Sequence, residues 1–382
     1  MSATTVPGDA PVRRSAGFDF GLLGTALATA ALGVVMILSA SSLEAASTYG
    51  DAFHYVWRQL AGLSLGAVGA VVVLLAPYGS VRRFAWPLYL ITLGLLLVVL
   101  TPVGHEVNGA VRWISLGPVN IQPSEIARLS IVGILADYLA NNRGRLKDVV
   151  GVGIPALGLV LPLVVLVIFQ KDFGTTAILI GLAGTMLFVA GLQWRWLAIG
   201  SLAAASLLGF LVVIEPYRVR RLLSFVDPFA DPSGSGYQVV QGWVALATGG
   251  PFGTGIASGV AQRGFLPEPH SDFIGAVIGE ELGAIGWCAT VGLEMMLVWR
   301  AATIAQRAPD LFGMLAATGI AAMFGAQAVI NLGVVGGMMP AKGLVLPFLS
   351  YGASAAVVHS VCVGLLLKIG VESARAPTGG GS

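Results

Sequence analysis

Glu268, His270 and Asp272 fall within five residues of one another, and Glu280 and Glu281 follow inside an apolar run. The whole stretch, Gly264 to Gly283, reads GFLPEPHSDFIGAVIGEELG. Ionisable groups packed this densely beside hydrocarbon are costly, so they imply a task. Asp272 stands where a long loop runs into a helix. A helix N-terminus favours the carboxylate form, which would leave Asp272 ionised and able to accept a proton. The same position suits a plain N-cap. Glu280 and Glu281 lie deeper, Glu280 ~80° round the helix from Asp272 and Glu281 on the opposite side. One of them is expected to face the interior as support.

Cations supply the complementary chemistry. Arg218, Arg220 and Arg221 sit in EPYRVRR and could hold a phosphate or anchor anionic lipid headgroups. Lys342 lies between Pro340 and Gly343 in GVVGGMMPAKGLVLPFLSYGAS, a break between apolar runs that also carries Ser350. A lysine there can meet a phosphate or simply snorkel to the interface. Arg112, beside Trp113, suits an interfacial position. Gln122, Ser124, Glu125 and Arg128 run into a helix, where Glu125 and Arg128 can pair across three residues. Asp172 follows Lys171 at a turn and can cap the next helix.

The elements that must position these groups are apolar helices. The chain has 382 residues, 56% hydrophobic and only 10% charged, against about 25% charged in soluble domains. Apolar runs of membrane length recur throughout. Expected spans are 18–41, 57–77, 84–103, 121–140, 149–169, 174–192, 195–214, 272–299, 309–335 and 345–369. The short alternating segments of a β-barrel are absent. The fold class is therefore an all-α polytopic membrane protein with about ten transmembrane helices. A net charge of +2 indicates no particular partner, and nothing signals nucleic acid. Cys288 and Cys362 lie in apolar runs without metal-ligand spacing and read as buried thiols.

Lysine and arginine distribution orients the chain. Arg82, Arg83, Arg143, Arg145, Arg195, Arg300 and Arg307 fall in loops that share the side of the N-terminus, placing both termini in the cytoplasm. Residues 1–17 and 370–382 are expected as cytoplasmic tails around a membrane domain spanning 18–369. The long loop 215–271 is then extracytoplasmic, as are Arg112, Lys342 and Arg263. Tyr237 to Ala247 within it is expected to form a short amphipathic helix.

Five motifs, QPSEIA, KDFGT, VDPFADPSGSGYQ, LPEPHSDFIGAVIGEELG and PAKGLVLPFLSYG, occur in this order. In them the chain closely resembles the SEDS family of bacterial cell-wall proteins (shape, elongation, division, sporulation), over about residues 18–369. PAKGLVLPF is more similar to the division-type branch than to the elongation type. The sequence departs from the family pattern at Lys171, where proline is usual, at Ala353, where glycine is usual, and at Ser271, where threonine is common.

The resemblance implies a peptidoglycan glycosyltransferase that polymerises lipid II, a disaccharide-pentapeptide on undecaprenyl pyrophosphate, outside the cytoplasmic membrane. The new β-1,4 bond would form with inversion at the donor carbon. Asp272 matches the family's essential aspartate and would be general base or acceptor-positioning group. Arg112, Lys342, Arg218, Arg220, Arg221 and Arg263 are candidates for the pyrophosphate, with Glu268, His270 and Ser350 as further substrate contacts. Glu125, Arg128, Asp172, Glu280 and Glu281 would be support. A divalent cation, Mg or Mn, is left open, since no His/Asp cluster identifies it. Implied partners are a class B penicillin-binding protein, other division proteins and membrane lipid. Two rival classes remain: a lipid II transporter (flippase), for which internal repeats are missing, and a non-catalytic scaffold.

Overall fold

The computed structural model describes residues 17–107, 110–116, 119–214, 216–231, 234, 236–260, 264–340 and 342–375. Most of both expected tails, 1–16 and 376–382, lies outside the described residues. Residues 370–375 are helical, because the last helix continues to Arg375.

The chain is helical almost throughout. The membrane-length helices are α1 (Phe20–Tyr49), α2 (His54–Leu75), α3 with α4 (Tyr78–Arg83 and Ala85–Val99), and α5 (Pro123–Asn141). They continue with α6 (Ile154–Phe169), α7 (Phe173–Ala190) and α8 (Trp194–Ile214). After two short helices, α9 (Pro216–Val226) and α10 (Tyr237–Gly249), come α11 (Ile274–Gln306), α12 (Leu311–Val335) and α13 (Ala353–Arg375). Nine of these units, among the described residues, are long and apolar enough to cross a membrane. The tenth, α5, carries Glu125, Arg128 and Asp137, all buried. Its charges face protein, the only environment in a bilayer that tolerates them.

The most enclosed helices are α5, α12 and α13, whereas α8 buries none of its residues. Large apolar side chains such as Leu75, Phe210 and Trp194 point outward, as on a surface solvated by lipid. Small residues set the closest approach. A Cβ on Gly66 of α2 would come within 2.7 Å of Ser360, and one on Gly364 of α13 within 2.6 Å of Ala70. Such pairs let helix backbones pack where no hydrophobic effect drives them together. Cys362 is buried as expected, but Cys288 is exposed on the outer surface of α11.

Three features were not expected. Between α4 and α5 the chain forms a small antiparallel sheet, β1 (Gly104–Val107), β2 (Ala110–Leu116) and β3 (Val119–Ile121), in that order. The stretch 345–352, expected to start the last span, is not helical. Leu346 and Leu349 are fully buried there, Phe348 nearly so, and Phe348 has a left-handed φ of 60°. Its apolar composition suited a helix, but Pro347 cannot donate the backbone hydrogen bond a helix interior needs. Third, α11 is broken at Gly283, with φ 68° and ψ −167°. Only glycine adopts that backbone readily. The broken ends are satisfied by the preceding loop. Thr254 and Gly255 N–H donate to the carbonyls of Glu280 and Glu281, and Ala284 and Ile285 N–H donate to Gly250 and Pro251.

Candidate active site

The expected N-cap role for Asp272 does not hold. The helix starts at Ile274, its cap residue is Phe273, and no side chain caps it. Asp272 therefore sits in the loop two residues earlier, with its side chain partly accessible. Phe273 beside it is buried, its ring resting against Gly242 of α10, where a Cβ would come within 2.9 Å. The expected amphipathic helix thus exists, and it braces the end of the loop.

On the other side, the segment after α12 abuts the carboxylate itself. A Cβ on Gly343 would lie 2.8 Å from Asp272 Oδ2, so a side chain there would crowd the acid. Among the described residues, no hydrogen bond reaches the Asp272 carboxylate; its backbone carbonyl, by contrast, accepts one from Asn331 Nδ2 at 3.1 Å. Burial pushes the Asp272 carboxyl up to about 6, and the Glu268 charge adds to this. Arg221 and Arg112 act in the opposite direction. The helix terminus is not what sets this group: desolvation outweighs the nearby cations.

Lys342 is half-buried in the same cleft. Burial lowers its ammonium below the usual lysine range, Asp172 opposes that, and Arg221, Arg218 and Arg112 reinforce it. Arg112, Arg221 and Asp172 thus act on both Asp272 and Lys342, and Arg218 acts on Lys342, which gathers charges from five separate segments at one end of the bundle. Arg112, on β2, donates to the carbonyl of Lys171 at 2.7 Å. That carbonyl is presented by a left-handed Lys171, φ 58°. Proline is confined to negative φ and could not take this turn, so the lysine suits the observed geometry. Ala353 begins α13 without a left-handed backbone, so glycine is not needed there.

The remaining candidates separate. Arg218 stacks over the Phe173 ring, 3.6 Å from its centroid, and also donates to the Leu211 carbonyl. Arg220 is exposed on a different face of α9 from Arg218 and Arg221. Arg263 lies outside the described residues. His270 is buried among Tyr55 and Tyr351, ring centroids 4.3 and 5.5 Å away. Burial lowers it to about 4, so it is neutral at pH 7 and the carboxylates of Glu44 and Glu268, 3.7 and 3.8 Å away, form no true ion pair with it. Its carbonyl accepts from Tyr351 N–H at 2.9 Å, which ties the loop to the segment before α13. Ser350 is likewise buried, its hydroxyl accepting from Leu346 N–H at 2.9 Å. Both were expected to touch substrate; in the structure they hold turns. Glu268 is half-exposed at the mouth, its carboxyl raised by burial and by Glu44.

The residues read as support are all paired, and both Glu280 and Glu281 are buried where only one was expected to face the interior. Arg128 binds Glu125 and Thr175, each at 2.8 Å. Asp172 caps α7 through Thr175 N–H and accepts from Ser124, each at 3.2 Å. Glu280 accepts from Val260 N–H at 2.7 Å, and Glu281 from Ser39 Oγ at 2.7 Å. Asn331 and Ser39 were missed. Asn331 interrupts the apolar run INLGVV, which marks a polar residue in need of a partner, but nothing local named it.

Left-handed non-glycine residues number four among those described: Lys171, Ala257, Glu268 and Phe348. Two of them, Lys171 and Glu268, belong to the turns beside Asp272 and Arg112. Such strain costs about 1–3 kcal/mol per residue and gathers at functional sites. Among the described residues, no group of three or more His, Cys, Asp or Glu side chains is placed to hold a metal ion.

Ten membrane-length helices with cations and accessible acids gathered at one end define a multi-pass membrane protein with a site at that end of its bundle. The profile of the FtsW/RodA/SpoVE family, described as cell cycle protein, matches residues 21–375, and the chain belongs to that family. It is 42% identical over 363 residues to a probable peptidoglycan glycosyltransferase FtsW of Halothiobacillus neapolitanus, covering 92% of this chain and 86% of that one. A protein of the same description from Trichlorobacter lovleyi is 39% identical over 368 residues, covering 96% and 97%. A chain from a peptidoglycan synthase complex, solved to show how polymerization and crosslinking are coordinated, superposes with a TM-score of 0.77 at 34% identity, covering 95% and 99%. The rod shape determining protein RodA of Thermus thermophilus superposes with a TM-score of 0.68 at 32% identity, covering 92% and 96%.

Proposed function

We propose that this chain is a division-type peptidoglycan glycosyltransferase that joins lipid II units into β-1,4 glycan strands at the outer face of the cytoplasmic membrane. One observation carries the assignment of the site. Asp272 is an accessible carboxylate that accepts no hydrogen bond among the described residues and is raised to about 6, with Arg112, Arg221 and Lys342 around it. A base works best with a pKa near the working pH. Asp272 takes the proton from the acceptor 4-hydroxyl as that oxygen attacks the donor anomeric carbon from the face opposite the leaving group. The bond from that carbon to the pyrophosphate oxygen breaks, and the electron pair leaves with undecaprenyl pyrophosphate. Arg112, Arg221 and Lys342 stabilise the charge that grows there. Arg218, committed to Phe173, positions the turn between α6 and α7.

The partner that fits this reading is a class B penicillin-binding protein, which would crosslink the strands; further division proteins would join them. Both termini face the cytoplasm. The test supplies labelled lipid II to the purified protein with and without that partner. Asp272→Ala should fold, capture the partner and make no strands. Normal polymerisation by that variant overturns the role of Asp272. Movement of lipid II across a vesicle bilayer without strand formation by the wild type would establish a transporter instead.

A further inference from the structure

We propose that Asn331 is a positioning residue for Asp272, holding the loop end that carries the acid in register with the segment that carries Lys342. The inference rests on the reading of Asp272 given above.

Asn331 is fully buried near the end of α12. Its Nδ2 donates to two carbonyls, Asp272 O at 3.1 Å and Leu344 O at 2.6 Å. Both acceptors lie in non-helical chain, and each belongs to a segment that brings one of the key side chains. Leu344 is tied in turn to the Lys342 carbonyl through its own N–H at 3.0 Å. Gly343, between them, is the residue pressed against the Asp272 carboxylate. One amide on a helix of 25 residues thus fixes two irregular segments against each other.

The chemistry is specific to a side-chain amide. Its NH₂ group offers two donors, one for each carbonyl. Aspartate in the same place offers only acceptors when ionised, and leucine fills the volume with neither. The Oδ1 atom of Asn331 is buried with no partner among the described residues. Leaving such an acceptor unpaired is unfavourable, which fits a residue kept for its donors. Asn331 is too enclosed to touch substrate, so any effect on the reaction runs through the two carbonyls. Arg112 and Arg221 are held by other elements, so substrate binding should survive its loss.

The experiment measures steady-state polymerisation of labelled lipid II by the full-length protein, with thermal melting as a folding control. Asn331→Leu should lose about 100-fold in kcat while KM stays within about threefold, the pattern of misplaced reacting groups. Asn331→Ser, which keeps one donor, should recover about a tenth of the wild-type kcat. Wild-type kcat in folded Asn331→Leu, or a loss confined to KM, overturns the proposal. If Asn331→Leu does not fold, Asn331→Ser decides: reduced kcat at unchanged KM supports positioning, and wild-type kcat refutes it. Asp272→Ala is run in parallel. If it polymerises normally, the reading of Asp272 fails and this inference with it. If it is inactive while both Asn331 variants behave as wild type, only the positioning role falls.

Discussion

Asp272 and the pair Glu280–Glu281 are separated by only a few residues, are all acidic, and are treated in opposite ways by the fold. Glu280 and Glu281 are buried, and their carboxylates are filled by Val260 N–H and by Ser39 Oγ. The Ser39 hydroxyl also accepts from Ala257 N–H at 3.1 Å. The backbone of the same two glutamates receives Thr254 and Gly255. Together they clamp the loop 250–260 across the break in α11. Asp272 has cations nearby but no donor on its carboxylate oxygens among the described residues. A carboxylate saturated with hydrogen bonds holds structure and is a poor base; one that is only desolvated is ready to take a proton. On the function proposed above, the difference separates scaffold from chemistry within one motif.

Exchanging the acids tests this contrast most strongly. Asp272→Asn should lower polymerisation by about 10³-fold, within the range for a lost general base, and leave the fold intact in thermal melts. Equal activity of the two proteins would break the comparison. Glu281→Ala should do the reverse. It strands the Ser39 hydroxyl and the loop N–H groups and should cost about 2–3 kcal/mol of stability, read as a lower melting temperature with activity retained in the folded fraction.

Lys342→Ala should lower kcat about tenfold, the effect of removing one group that stabilises the growing charge of the leaving pyrophosphate, with capture of the crosslinking partner unchanged. An unchanged kcat would remove Lys342 from the proposed chemistry. The pH profile then sharpens the role of Asp272. With the carboxyl at about 6, activity should fall about tenfold from pH 7 to pH 5 as the base is protonated. Stability moves in the opposite sense. The folded carboxyl holds its proton to about 6 and the unfolded one to 3.8. The folded state therefore binds more protons in that window, and stability falls as pH rises through it. Asp272→Asn should accordingly stabilise the protein at pH 7 and have no such effect below pH 4, as melts at the two pH values would show. The smallest expected change is Ser39→Ala, about 1 kcal/mol for the lost bridge between Glu281 and Ala257, again by melting temperature.

Much of the fold was legible locally. Long apolar runs demand helices because a bilayer leaves backbone groups no other partner. Asp172 as a cap and Glu125 with Arg128 as a pair follow from spacing along one helix. The miss at 345–352 has a physical cause: apolar content reports burial, and buried chain need not be helical when protein surrounds it. The sheet after α4 was hidden because its strands are short and sit among turn residues. His270 and Ser350 looked like substrate contacts by type; in the fold Tyr55, distant in sequence, packs against the first, while Ser350 closes a local turn with Leu346 N–H and its carbonyl is reached by Gln59 of α2.

The sequence by itself determined a helical membrane protein, the family to which it belongs, and the few residues able to do acid–base or phosphate chemistry. Composition and spacing carry that information because they act along one segment at a time. Only the tertiary structure decided which acid is poised and which are clamped. The state of a carboxylate depends on who donates to it and how much water it keeps, and those partners come from other helices. Asp272 took its place beside Gly343, under the hold of Asn331, through contacts about 60–70 residues away in sequence.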